Sequence, residues 1–96
     1  YQQDPHDPFN LYALAMEYVA EQPAQAQHYF ERLLTEHPQY LPTYYHAAQL
    51  YVQQDEPQKA VALYDLGLRL AREQKQQKTF DELNRAYRAL LDDLDE

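Results

Sequence analysis

The stretch PTYYHAAQLYVQQDEPQKAVALYDLG, residues 42–67, holds two apolar series separated by a polar turn. Tyr44, Ala47, Ala48 and Tyr51 fall at i, i+3, i+4 and i+7, the spacing of one helix face. Ala60, Tyr64 and Gly67 follow Pro57 at steps of four and three. Proline suits the first turn of a helix, where the N–H that it lacks would go unbonded anyway. A strand would alternate instead, so the stretch predicts two helices in a hairpin.

The hairpin occurs twice. Ala26, Phe30 and Leu33 stand 34 residues before Ala60, Tyr64 and Gly67, and Pro23 stands 34 before Pro57. Leu11, Leu14, Ala15 and Tyr18 stand 33 before Tyr44, Ala47, Ala48 and Tyr51, so the first copy is one residue shorter between its halves. Asp7 before Pro8 is an N-cap signal, and Pro38 is expected to end a helix. The predicted helices cover about residues 8–20, 24–37, 41–54 and 57–73. A fifth, over 77–94, carries Phe80, Leu83, Tyr87, Leu90 and Leu94 at steps of three and four. Its remaining faces are charged, as a cap over an open flank of a helical stack requires. The polar link from Glu73 to Gln77 reads as a hinge or a frayed end. The fold class is all-α: an α-α superhelix of two helical hairpins plus a C-terminal capping helix, five helices in one domain over residues 1–96.

Composition excludes several functions. The chain has no cysteine, which removes disulfides, thiolate zinc sites and cysteine nucleophiles. A net charge of -8 opposes phosphate backbones, so no nucleic-acid partner is expected. Every apolar run is broken by Glu, Gln, Arg or Asp well short of a membrane span, and no membrane partner is expected. Residues 1–38 hold six acids and one base, 39–72 three of each, and 73–96 seven acids and four bases. Acidic ends keep a chain in solution, fit a salty cytoplasm, or recruit a basic partner. The expected location is cytoplasmic, because no export signal is visible; a start at Tyr1 leaves room for a leader upstream.

Period and residue types together resemble the tetratricopeptide repeat, a two-helix unit of about 34 residues. Tyr44, Ala47, Ala48, Tyr51, Ala60, Tyr64 and Gly67 occupy the seven positions where that family places large or small residues in turn. Departures are Leu11 for an aromatic, Leu33 for a small residue, Ala47 for leucine, and Arg72 where a closing proline would stand. The last implies that the second helix of repeat 2 runs on without a sharp stop. Phe80, Leu83, Asn84 and Tyr87 resemble a further first half-repeat. The resemblance covers residues 8–91, with repeat 1 at about 8–38, repeat 2 at about 41–73 and the cap at about 77–94, and is similar to short bacterial members of the family. Small residues, Gly67 among them, let helix backbones approach closely.

What the resemblance implies for function is a non-catalytic module that holds a peptide or helix of another protein on the concave face formed by first helices. The corresponding partner-binding residues are Phe9, Tyr12 and Met16 on the first helix, Tyr45, His46 and Gln49 on the third, and Lys78 and Arg85 on the fifth. Val19 and Val52 belong to the same set. Packing, rather than display, is an equal reading for Phe9, Tyr12 and Met16. Self-association into a weak homodimer, or a structural scaffold unit with no peptide ligand, is the alternative function. The family's clamp for chaperone C-terminal carboxylates is absent: Tyr12, Met16, His46 and Glu82 stand at its positions, and Lys78 alone matches.

No enzyme is expected. Asp92 and Asp93, as helix neighbours about 100° apart, cannot act on one bond. Asp55 and Glu56 before Pro57 read as helix-start signals, and the run Asp92, Asp93, Asp95, Glu96 as a frayed end. Thr35, Thr43 and Thr79 lack a nucleophile's context. His6, His28, His37 and His46 have no metal-ligand spacing, so no metal and no cofactor are expected. His37 is placed at a helix end, and His46 is the candidate for pH-dependent binding near its ordinary 6.5.

Overall fold

The computed structural model describes residues 6–95. Five helices follow one another: α1 (Pro8–Tyr18), α2 (Pro23–Glu36), α3 (Pro42–Gln53), α4 (Pro57–Glu73) and α5 (Gln77–Leu94), with no strand among the described residues. The all-α expectation holds. Four of the five helices begin at a proline, and the bounds lie within two residues of those read from the periodicity. The chain forms two compact units, one up to Thr43 and the other from Tyr44 on.

In the first unit α1 packs on α2. Asp7 caps α1 as expected, its carboxylate accepting from the N–H groups of Phe9 at 2.8 Å and Asn10 at 3.3 Å. The buried faces are Leu11 and Ala15 on α1, and Ala26, Phe30 and Leu33 on α2. Tyr18 and Tyr29 extend this seam as a parallel stack, their ring centres 5.9 Å apart. α2 stops at Glu36, two residues before Pro38, because His37 leaves helical geometry and sends its N–H to the Leu33 carbonyl at 2.7 Å. His37 thus sits at the helix end, but its ring has found a specific partner there: Nε2 donates to the carbonyl of His6. Arg32 and His6 converge on the Glu36 carboxylate and hold it below the usual carboxylate range, the Arg32 hydrogen bond contributing most.

In the second unit α4 packs on α5, and α3 approaches α4. Gly67 marks a close approach: a Cβ there would lie 2.8 Å from Tyr44 Cβ and 3.2 Å from Leu83 Cδ1. Around it, Ala47, Ala48, Ala60 and Ala71 are fully buried, with Leu50, Leu63, Tyr64, Leu83 and Leu90 filling the space between helices. Tyr64 tilts against Tyr87 of α5 at 6.2 Å. The small positions read from the sequence are therefore buried between helices, and at Gly67 a side chain would meet the neighbouring helices.

Two short connections correct the sequence reading. Asp55 has φ 62° and Lys75 φ 58°, both left-handed. At each, paired backbone bonds close the helix: Glu56 N to Tyr51 O at 2.8 Å with Asp55 N to Val52 O at 3.1 Å, then Gln76 N to Ala71 O at 2.9 Å with Lys75 N to Arg72 O at 3.1 Å. These are Schellman stops made without glycine. Asp55 consequently belongs to the end of α3 rather than the start of α4. Glu56 occupies the N-cap of α4 but makes no side-chain cap bond; its carboxylate instead meets Lys59 at 3.0 Å. The link after Glu73 is likewise an ordered turn, neither hinge nor frayed end. α4 does run on, as Arg72 in place of proline implied, to 17 residues against 14 in α2.

Candidate functional site

The first unit presents one face of α1. Phe9, Tyr12 and Met16 are spaced by three and four residues and share that face. Phe9 is 65% exposed and Met16 36% exposed. Tyr12 is half-buried, its ring edge-on to Tyr40 with centres 5.8 Å apart. Burial first, and Tyr40 second, push the Tyr12 phenol above its ordinary range. Thus Phe9 and Met16 offer apolar surface to solvent, while much of Tyr12 is taken up within the unit.

The second unit presents α3 and α5. Tyr45 and His46 are both half-buried, with their rings edge-on at 5.1 Å, and Gln49 Nε2 donates to Tyr45 Oη at 3.1 Å. Burial holds the His46 imidazole below its ordinary pKa, opposed by the nearby Glu82 carboxylate of α5. His46 is therefore neutral near pH 7 and forms part of the wall rather than a solvated switch at 6.5.

Beyond Gln49 lies an open cleft of about 400 Å³, lined on the α3 side by Gln49, Val52 and Gln53 and on the α5 side by Ala86, Ala89, Leu90 and Asp93. Tyr64 of α4 also lines it. Volume of this order sits low in the roughly 300–1,000 Å³ range of ligand pockets. Tyr64 is only 3% exposed, and its phenol is pushed up to about 12, by burial first and then by Tyr45. It is a neutral hydroxyl, able to donate and accept, across the accessible pH range.

The structure brings Tyr45, His46 and Gln49 together on α3, and Gln49 reaches the cleft. Lys78 and Arg85 do not line it, although both are exposed on α5. Arg85 stands one turn before Ala89, whose side chain does line the cleft. The α5 lining that sequence reasoning missed, Ala86, Ala89 and Asp93, continues from Glu82 at steps of four, three and four. That spacing was available, but alanines carry no chemical signal and Asp93 was hidden in an acidic run read as frayed. In the structure α5 is helical through Leu94, with Asp95 as its C-cap; Glu96 lies outside the described residues.

Among the described residues, no three of His, Cys, Asp and Glu converge to hold a metal ion. The side chains that meet at the cleft are amides, alkyl groups, a phenol and one carboxylate. This set can seat an apolar group and make hydrogen bonds around it.

Comparison with known proteins agrees with the repeat. A family model described as tetratricopeptide repeat matches residues 18–80. A tetratricopeptide repeat domain protein from Salinibacter ruber, solved by solution NMR, is 38% identical with a TM-score of 0.86, over 92% of this chain and 90% of that chain. A crystal structure of a tetratricopeptide repeat domain protein from the same organism is 38% identical with a TM-score of 0.83, over 88% and 94% of the two chains. No curated protein matches the sequence. The helical period, the buried small positions and these likenesses have one explanation: the chain belongs to the tetratricopeptide repeat family.

Proposed function

We propose that this chain is a non-catalytic protein-interaction module that holds a peptide or helix of another protein on the outward faces of its first helices. Family membership supports the general class, since tetratricopeptide repeats serve in protein interaction and scaffolding. The observation that carries the finer reading is exposed apolar surface on those helices. Phe9 and Met16 of α1 and Val52 of α3, 42% exposed, stand in solvent although each helix has a well-filled buried face. Partner-binding roles are accordingly assigned to Phe9, Met16, Tyr45, His46 and Gln49, with Tyr12 supporting the α1 face through Tyr40.

The test is affinity capture with the intact chain and with Phe9→Ser/Val52→Lys, two exposed changes expected to leave thermal unfolding unchanged. A partner recovered by the parent and lost from the variant supports the assignment. Equal recovery from both removes it.

Self-association is a second reading, favoured by Leu91 and Leu94 of α5, 39% and 43% exposed. Sedimentation across a concentration range separates the two: a dimer dissociated by Leu91→Glu supports self-association, whereas a monomer at all concentrations leaves the first reading alone.

A further inference from the structure

The α3/α5 cleft in the second unit carries information about its ligand's chemistry. Its middle is apolar, formed by Val52, Ala86, Ala89 and Leu90, and the two alanines keep the α5 wall low. Its end is negative. Asp93 lines the cleft in the last turns of α5, next to Gln53 in the last turn of α3, so the negative ends of two helix dipoles lie beside that carboxylate. No ion pair among the described residues engages Asp93, while Glu31, Glu36, Glu56, Asp65 and Asp81 each meet a partner one turn away. Glu82 lies on the same α5 face, beside His46. Two cations share that face, Lys78 a turn before Glu82 and Arg85 a turn before Ala89, and neither lines the cleft.

An independent observation comes from the floor. Tyr64 is almost completely buried and lines the cleft, yet its hydroxyl is not a sealed, unpaired atom; among the described residues that holds only for Thr43 Oγ1. A phenol that donates and accepts in the floor of a cleft is a position for a ligand's polar atom.

We propose that this cleft binds a segment of another protein in which an apolar side chain is flanked by lysine or arginine. The apolar side chain sits on Val52, Ala86, Ala89 and Leu90, the cation meets Asp93, and a main-chain group of the segment bonds Tyr64 Oη. The inference rests on the interaction reading above and specifies its partner: basic and apolar, the reverse of an acidic C-terminal peptide.

Fluorescence anisotropy with the intact chain tests it, using a fluorescein-labelled peptide alternating leucine and lysine, a leucine–glutamate counterpart and a serine–lysine counterpart. The leucine–lysine peptide binds, and each counterpart binds at least about tenfold more weakly. Asp93→Asn and Tyr64→Phe each weaken binding by about threefold to tenfold, and Ala89→Leu, which fills the cleft from an exposed position, abolishes it. Asp92→Asn makes the same change in net charge on a different face of α5 and shifts affinity by less than about twofold. Circular dichroism melts establish that each variant is folded.

Equal affinity for the lysine and glutamate peptides, or equal loss in Asp92→Asn and Asp93→Asn, overturns the basic ligand class and leaves the interaction face standing. Binding that survives Ala89→Leu, or no binding by any peptide, overturns this cleft as the seat itself. Sedimentation showing a dimer that Ala89→Leu dissociates replaces the partner with a second copy of the chain and also overturns the inference.

Discussion

At Gly67 two opposing effects on a substitution can be weighed. Glycine within a helix is less favourable than alanine by about 1 kcal/mol, so on propensity alone Gly67→Ala should stabilise. Yet the added methyl would lie 2.8 Å from Tyr44 Cβ, an atom fixed to the α3 backbone, and 3.2 Å from a methyl of the fully buried Leu83. Overpacking of this kind costs about 1–3 kcal/mol, and it outweighs the propensity gain. Gly67→Ala is predicted to lower the thermal midpoint, and a raised midpoint would contradict the packing. His46 gives a second residue-scale prediction. Its folded pKa lies below the ordinary 6.5, mainly through burial, so the unfolded chain takes up a proton first as pH falls. The stability it contributes is therefore fully present above pH 6.5 and is lost progressively below it. Chemical denaturation between pH 7 and 5 should show a decline that His46→Gln flattens. Glu82→Gln removes the opposing charge, so NMR titration of His46 in that variant should give a still lower pKa; a rise would show that Glu82 does not face the ring.

At the scale of elements, the two Schellman stops show what the sequence hid. Proline at residues 8, 23, 42 and 57 announces four helix starts, because its fixed φ and missing N–H suit a first turn. No equivalent mark announces the ends of α3 and α4, where Asp55 and Lys75 take a conformation usually given to glycine. Lacking glycine, these positions read as a helix start and a hinge. A left-handed backbone costs an ordinary side chain about 1–2 kcal/mol, less for aspartate, which tolerates it better. Lys75→Gly should accordingly raise stability by about 1 kcal/mol and Asp55→Gly by about 0.5 kcal/mol, after the added freedom of the unfolded chain is counted. Melting curves check both the direction and the order. A loss of stability at either position would mean that its turn is not held as described. The candidate site was legible to a similar degree. Gln49 and Val52 follow from the register of α3, since they flank its buried stripe. Ala86, Ala89 and Asp93 required knowing which flank of α5 faces α3, and a single amphipathic pattern identifies the buried stripe without identifying its neighbours.

For the whole molecule, the two repeats and the helix after them follow from a period that any pair of matching positions reveals. Ala26 and Ala60 are both fully buried, and so are Ala15 and Ala48, so equivalence in sequence is equivalence in packing. Function is less legible because binding faces carry no packing requirement and vary freely. Physical exclusions still narrow it. No helix among the described residues is long and apolar enough to cross a membrane, and the net charge of -8 disfavours anionic partners. The same charge favours a cationic one, which agrees with the chemistry of the α3/α5 cleft. The central claim, that first-helix faces are the working surface, is tested most directly by amide chemical-shift mapping of the intact chain titrated with the leucine–lysine peptide. Shifts are expected to cluster at residues 46–53 and 82–93, with Leu66 and Arg69 of α4 unmoved. Shifts centred on the exposed face of α4 around Leu66, with α3 silent, would contradict it.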